Sequence, residues 1–302
     1  MYAEPVEGAD EIRQLARGAL TAAGVGDIDR VPLEQVTAAV DLHQRDLFAL
    51  GDNPPPALRR AMKLLSSKVL GILAVKQKAI YVDPDLEESR KRFTIAHEIG
   101  HKALPWQEGS FADDKHTLAP ATKKAFEREA NAFGGELLFG AGRFNDQADD
   151  EAPGIEVPLA AASRYGASVA ATLRQYVEYS RRPMALLAVG VLTDRTVNGP
   201  RLPLFRGLCV VSDRFAERYG PLEGAFPTGR LAPSSPLFHV LEKLTVSVGE
   251  SIEVPLETRR GLVTFRADTF CNTYQRFVLL YRRTRLSGRQ TLLVDANGKP
   301  LR

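Results

Sequence analysis

His97-Glu98-Ile99-Gly100-His101 sets two imidazoles four residues apart with a carboxylate between them. On a helix, positions i and i+4 share one face, so both rings can reach a single ion. Zn²⁺ suits such a pair, with bonds of about 2.0–2.1 Å, and Mn²⁺ or Fe²⁺ accepts the same ligand types. Glu98 then stands beside the ion, placed to take a proton from water. With five histidines in 302 residues, chance produces this pattern in on the order of one chain in a hundred or fewer. The bland alternative is a helix whose histidines are merely hydrogen-bonded.

A catalytic ion needs a third protein ligand and an open position for water. Candidates in reach along the chain are Glu127, Glu129, His116, Asp113 and Asp114. Glu127 shares its helical face with Ala130, Asn131 and Gly134, small residues that let two helices approach closely. Glu129 falls with Ala132 and Glu136, toward the polar side. Glu127 is therefore the preferred third ligand, and His116, in a polar stretch, reads as solvent-facing.

These side chains need two helices to carry them. Phe93, Ile95, Ala96, Ile99 and Ala103 give the stretch Leu86–Leu104 an apolar side that Pro105 ends. Phe126, Ala130, Phe133 and Leu137 make a stripe on a second helix, about Ala121–Leu138. Ahead of them, Ile12, Leu15, Ala16, Ala19 and Leu20 mark an opening amphipathic helix, and Val31–Val40 a short one. Asp52–Pro56 (DNPPP) reads as a loop, and Val69–Val75 and Ala79–Val82 as two strands joined by a short polar turn. Gly140–Gly154, rich in acids, looks like a domain boundary. Two short helical patterns divided by Gly166-Ala167-Ser168 then read as helix-turn-helix-like. Beyond Pro183, strand-like runs at Met184–Leu192, Leu208–Val211, Leu244–Val248, Gly261–Phe265, Phe277–Tyr281 and Thr291–Val294 surround a helix near Asp213–Tyr219. That pattern predicts a separate α+β unit.

The chain resembles the ImmA/IrrE family of zinc-dependent metallopeptidases. The resemblance runs through Ala79-Ile80-Tyr81-Val82, RKRFTIAHEIGH at Arg90–His101 and EREANAFGGELL at Glu127–Leu138. It implies zinc held by His97, His101 and Glu127, with Glu98 as general base. One departure is visible: the family continues Leu-Leu with Met-Pro, and here Phe139-Gly140 follows. The longer layout is similar to the IrrE branch, which implies an α+β multidomain protein. Its parts would be a mainly helical zincin-like peptidase domain over 1–150, a helix-turn-helix segment over 151–183 and a GAF-like sensor or scaffold over 184–302. The resemblance further implies a protein substrate, a helix-turn-helix transcriptional repressor, cut in a stress or DNA-damage response. The donor to the oxyanion is left open among Tyr81, His116 and Tyr165.

Composition limits the other classes. At 44% hydrophobic and 25% charged, with 24 Gly and 19 Pro, the chain is ordinary globular material, and its length suggests about two domains. The longest apolar run, Met184–Leu192, is far below the roughly 18 residues that span a bilayer, so no membrane role is expected. The acidic opening MYAEPVEGADEIRQ lacks the pattern of an export signal, and a cytoplasmic location is expected. Cys209 and Cys271, with no CxxC spacing, read as buried thiols. A net charge of +3 does not imply nucleic acid, although the end from Gln275 is locally basic through its arginines. Arg174, Gln175, Arg181 and Arg182 are residue types that touch DNA, yet Leu173 and Val177 must face a core, so a packing role is favoured over DNA contact. Aromatic residues of the last third, such as Phe205, Phe215, Phe226 and Phe265, read as core before they read as a ligand pocket. No Walker loop, dinucleotide fingerprint or Gly-x-Ser-x-Gly elbow is present. The competing reading is a non-proteolytic DNA- or repressor-binding regulator, with a structural metal site and a ligand-sensing C-terminal domain.

Overall fold

The computed structural model describes residues 6, 8–47, 71–74, 77–107, 119–191, 203–204, 208–222, 236–243, 247–272 and 275–282. The expected loop at Asp52–Pro56, the candidates Asp113, Asp114 and His116, the aromatics Phe205 and Phe226, the strand at Thr291–Val294 and the basic end beyond 282 lie outside them. The protein is α+β, with a mainly helical N-terminal part and a C-terminal sheet.

Helices α1 (Ala9–Ala22) and α2 (Leu33–Ala39) lead into strand β1 (His43–Asp46), followed by β2 (Gly71–Ala74) and β3 (Ala79–Val82). β3 lies between the other two, parallel to β1 and antiparallel to β2, and its AIYV side chains are buried throughout. Next come α3 (Glu88–Ala103) and α4 (Pro120–Leu138), which cross each other and carry the motif. The Glu87 side chain caps α3 by accepting from the Arg90 N–H at 3.2 Å. Pro105 forbids helical backbone at Leu104, which is extended, and α3 ends there. Pro120 opens α4, where its missing N–H costs nothing. Gly140, with φ +72°, lets the chain turn out of α4 after Phe139, so Phe139-Gly140 stops this helix without the Met-Pro of the family pattern.

The Gly140–Gly154 stretch is a helix where a boundary was expected. α5 (Arg143–Asp150) buries Phe144, Asn145 and Ala148; Asp146 and Asp150 are exposed, while the Asp149 carboxylate turns in to accept from Ser180 Oγ and Arg181. Phe144 packs against Phe139, Tyr165 and Tyr176, with ring centroids 5.3–6.3 Å apart. The expected helix pair follows as α6 (Glu156–Tyr165) and α7 (Val169–Glu178). Gly166 at φ +63° ends the first, and the Ser168 hydroxyl caps the second by accepting from the Ala171 N–H. Both helices contribute to the apolar core that holds α1, α3 and α4.

The C-terminal part contains β4 (Met184–Val191), β5 (Pro203–Leu204), β6 (Cys209–Val211), α8 (Asp213–Tyr219), α9 (Pro236–Lys243), β7 (Ser247–Val248), β8 (Ile252–Thr258), β9 (Gly261–Cys271) and β10 (Arg276–Tyr281). Its strands pair antiparallel, with β10 between β4 and β9. Three elements here were not expected, β5, β8 and α9. The apolar run of β4 is buried on both faces. Met184, Leu186 and Ala188 join the helical core, while Ala185, Leu187 and Val189 join the core beneath α8 and α9.

Candidate metal centre

α3 and α4 approach closely because each offers a glycine to the other. A Cβ on Gly100 would lie 3.1 Å from the Ala130 carbonyl oxygen and 3.2 Å from the Ala130 Cα. A Cβ on Gly134 would lie 3.1 Å from the His97 backbone nitrogen. The second glycine thus sits directly against His97, and the small face of α4 inferred from Ala130 and Gly134 is the contact surface. On β2, a Cβ on Gly71 would clash with Thr94 Cγ2 and lie 3.6 Å from a Glu98 carboxylate oxygen, so the glycine lets the strand lie close to this part of α3.

This crossing brings His97, His101 and Glu127 together. Their nearest donor atoms lie within 4.8 Å of one another. His97 Nε2 and His101 Nε2 are 3.1 Å apart, and the Glu127 oxygens stand 3.4 Å from the first and 3.8 Å from the second. Donors bound at about 2.0–2.1 Å around a tetrahedral ion are themselves roughly 3.4 Å apart. The three measured separations bracket that value, so the donor set fits a divalent ion. Side-chain exposure rises from 6% at His101 through 15% at His97 to 50% at Glu127, which leaves the open side of the cluster toward Glu127.

The far nitrogens of both rings are committed. His97 Nδ1 lies 3.0 Å from the Asn131 amide oxygen, and His101 Nδ1 lies 2.8 Å from that of Gln107. With Nδ1–H donating to each oxygen, both Nε2 atoms present lone pairs to the same point. Burial works against charge on His97, but Glu127, Glu98 and Asn131 outweigh it and hold its pKa above the ordinary imidazole value.

Glu129 takes a different place from Glu127. Its Oε2 accepts from Trp106 Nε1 at 2.7 Å and from Gln107 Nε2 at 2.6 Å, so it supports the site from behind. Tyr165 does not serve as an oxyanion donor: its ring is buried with Phe139 and Phe144, and its hydroxyl meets Gln147. Tyr81 is buried on β3 beside Ala74 and Ala79. Sequence reasoning missed the amides of Asn131 and Gln107. Asn131 was legible, four residues after Glu127 and on its face. Gln107 was not, because its contact depends on how the chain turns after α3.

The DNA-type side chains of the helix pair are turned inward or paired. Gln175 is buried against Asn145, and Arg174 binds Glu178 through two hydrogen bonds. Arg181 pairs with Asp146 and Asp149, and Arg182 donates to the carbonyls of Asp149 and Glu151.

Residues 59–175 match the family model Peptidase_M78, the IrrE N-terminal-like domain. The ImmA/IrrE resemblance read from the motifs is thereby shown over that segment, which contains all four motif residues. Among solved structures, a Mycobacterium tuberculosis transcriptional regulator aligns over 90% of this chain and 79% of its own, at 15% identity and a TM-score of 0.48. No curated protein sequence matches the chain. Among the described residues, no helix is long and apolar enough to cross a membrane.

Proposed function

We propose that this protein is a zinc-dependent endopeptidase that makes a limited cut in a helix-turn-helix transcriptional repressor, and so regulates a stress or DNA-damage response in the cytoplasm. The family match supports a metallopeptidase-type or IrrE-like regulator. The observation that carries the catalytic reading is the convergence of two Nε2 lone pairs and one carboxylate, with Glu98 next to the first histidine. His97, His101 and Glu127 would hold the ion, Zn²⁺ or alternatively Mn²⁺. When bound, it supplies Lewis acidity that acidifies water and polarises a peptide carbonyl.

The chain's own chemistry falls to Glu98. Its carboxylate takes the proton of the attacking water and returns it to the leaving amine, as general base and then general acid. A purely structural site has no use for that carboxylate, which weighs against the non-proteolytic reading. DNA binding through α7 and the residues just after it loses support as well, since Arg174, Arg181 and Arg182 are paired within the protein. Residues 184–302 serve in this reading as the GAF-like sensor or scaffold.

Metal content of the purified protein tests the reading first. About one Zn²⁺ or Mn²⁺ per chain, reduced in His97→Ala and Glu127→Ala, is expected. A protein that holds no metal, and takes none on titration, would overturn it.

A further inference from the structure

Gln107 has no place in the mechanism above, yet its side chain is completely buried beside the ligand cluster. Its amide makes three hydrogen bonds. Oε1 accepts from His101 Nδ1 at 2.8 Å, while Nε2 donates to the Phe126 carbonyl at 3.2 Å and to Glu129 Oε2 at 2.6 Å. A carbonyl and a carboxylate can only accept, so the amide nitrogen must face them and the amide oxygen must face His101. His101 then has to carry its proton on Nδ1, which leaves the Nε2 lone pair for the ion. The contacts described for Asn131 hold no such second constraint on its orientation.

The chain achieves this by interrupting α3. Six residues further along a continuous helix, a side chain sits about 9 Å up the axis and about 240° around it, out of reach of His101. Leu104 is extended before Pro105, and the turn that follows, closed by the Gln107 N–H on the Leu104 carbonyl at 3.0 Å, folds Gln107 back beneath the imidazole. Glu129 completes the arrangement. It also receives the Trp106 N–H, so neighbouring residues of one turn grip the same carboxylate from α4.

We propose that Gln107 is a positioning residue for the ion: through an amide relay from Glu129 to His101 it fixes the imidazole's tautomer and aim, and so sets metal affinity. The carboxylate polarises the amide, which makes Oε1 a stronger acceptor and the imidazole a better ligand. This inference rests on the metal-site reading and deepens it. Outer partners of ligating histidines typically contribute 10–100-fold to metal affinity.

The test is a competition titration of the full-length apoprotein with Zn²⁺, read by a chromophoric chelator, together with the Co²⁺ absorption spectrum. Gln107→Leu is expected to weaken Zn²⁺ binding by roughly 10–100-fold at unchanged stoichiometry and to alter the Co²⁺ bands. Gln107→Glu, of equal volume, places an acceptor against Glu129 and is expected to weaken binding similarly, which keeps the test alive should the Leu variant not fold. Glu129→Gln keeps an amide oxygen to accept from Trp106 Nε1 and Gln107 Nε2 but removes the charge that polarises the relay, and is expected to weaken Zn²⁺ binding by a few-fold. A purely structural role predicts no change in affinity for this isosteric variant. If the folded Gln107 variants bind Zn²⁺ as tightly as the wild type, the relay is refuted and the metal site stands. If the wild type itself binds none, the metal-site reading and the relay fall together.

Discussion

At the scale of single residues, Glu98 and Glu127 make opposite demands on the same assay. Glu98→Gln keeps a polar side chain beside the ligands but removes the base, so the variant is expected to bind metal normally and to lose about 10²–10⁴-fold in cleavage of a repressor substrate. Elemental analysis and a gel-based cleavage assay measure both, and retained cleavage would sink the general-base role. Glu127→Ala removes a proposed ligand and is expected to lower metal occupancy itself. These residues were readable because a helix converts spacing into direction: His97 and His101 declare one face, and Glu127 declares another through its small neighbours. The arrangement behind them was not readable. Trp106, Gln107 and Glu129 meet only because Pro105 breaks a helix, and no periodicity reports where a chain goes after a break.

Among the elements, the α3–α4 crossing is the one on which the site depends. Gly100→Ala and Gly134→Ala would each put a Cβ against backbone atoms of the other helix, at 3.1 Å, where no side chain can move aside. The helices must separate, and each change is expected to destabilise the fold by about 1–3 kcal/mol and to weaken metal binding as Glu127 draws away. Urea denaturation and metal titration read the two effects. Gly18 is the control: it is exposed inside α1 with nothing within 4 Å of an added Cβ. Gly18→Ala is expected to stabilise by about 0.5–1 kcal/mol through helix propensity, with metal binding unmoved. The apolar stripes announced α3 and α4, and Gly166 with Ser168 announced the turn between α6 and α7. Three of the unexpected elements were hidden for separate reasons. β1 is His-Gln-Arg-Asp, with no apolar alternation to see. α5 has few apolar residues among acids and amides, and so looks like a linker. β8 contains Pro255, which is tolerated because β8 is described pairing on one side alone, with β9.

Across the whole molecule, the central sheet serves two cores at once. The period of two along β4 and β10 sends Met184, Leu186, Phe277, Leu279 and Tyr281 into the helical core and Leu187, Val189, Val278 and Leu280 into the other. The continuous apolar sequence of β4 reads as a buried strand, but it could not say that one of its two faces would pack on the helices bearing the His97, His101 and Glu127 cluster. A buried carboxylate reinforces the junction. Asp268 of β9, only 4% exposed, accepts from Ser251, Arg266 and the Tyr281 hydroxyl within the sheet, and from the Ile155 N–H at the start of α6. Burial and the Asp268 charge together push the Tyr281 phenol above its ordinary pKa, so it stays a neutral donor at physiological pH. Asp268→Ala would leave the Tyr281 hydroxyl and the Ile155 N–H without this acceptor and is expected to cost about 1–3 kcal/mol, measured by denaturation of the full chain. Each large apolar side chain on the shared face contributes roughly 1.5–3 kcal/mol by burial, and a fragment cut at Pro183 would expose that face to water. Residues 184–302 expressed alone are therefore expected to aggregate or to bind a hydrophobic dye, and the intact protein to unfold in one transition reported equally by Trp106 fluorescence and far-ultraviolet dichroism. A soluble, monomeric fragment with a cooperative melt of its own would show that the sheet does not need the helices.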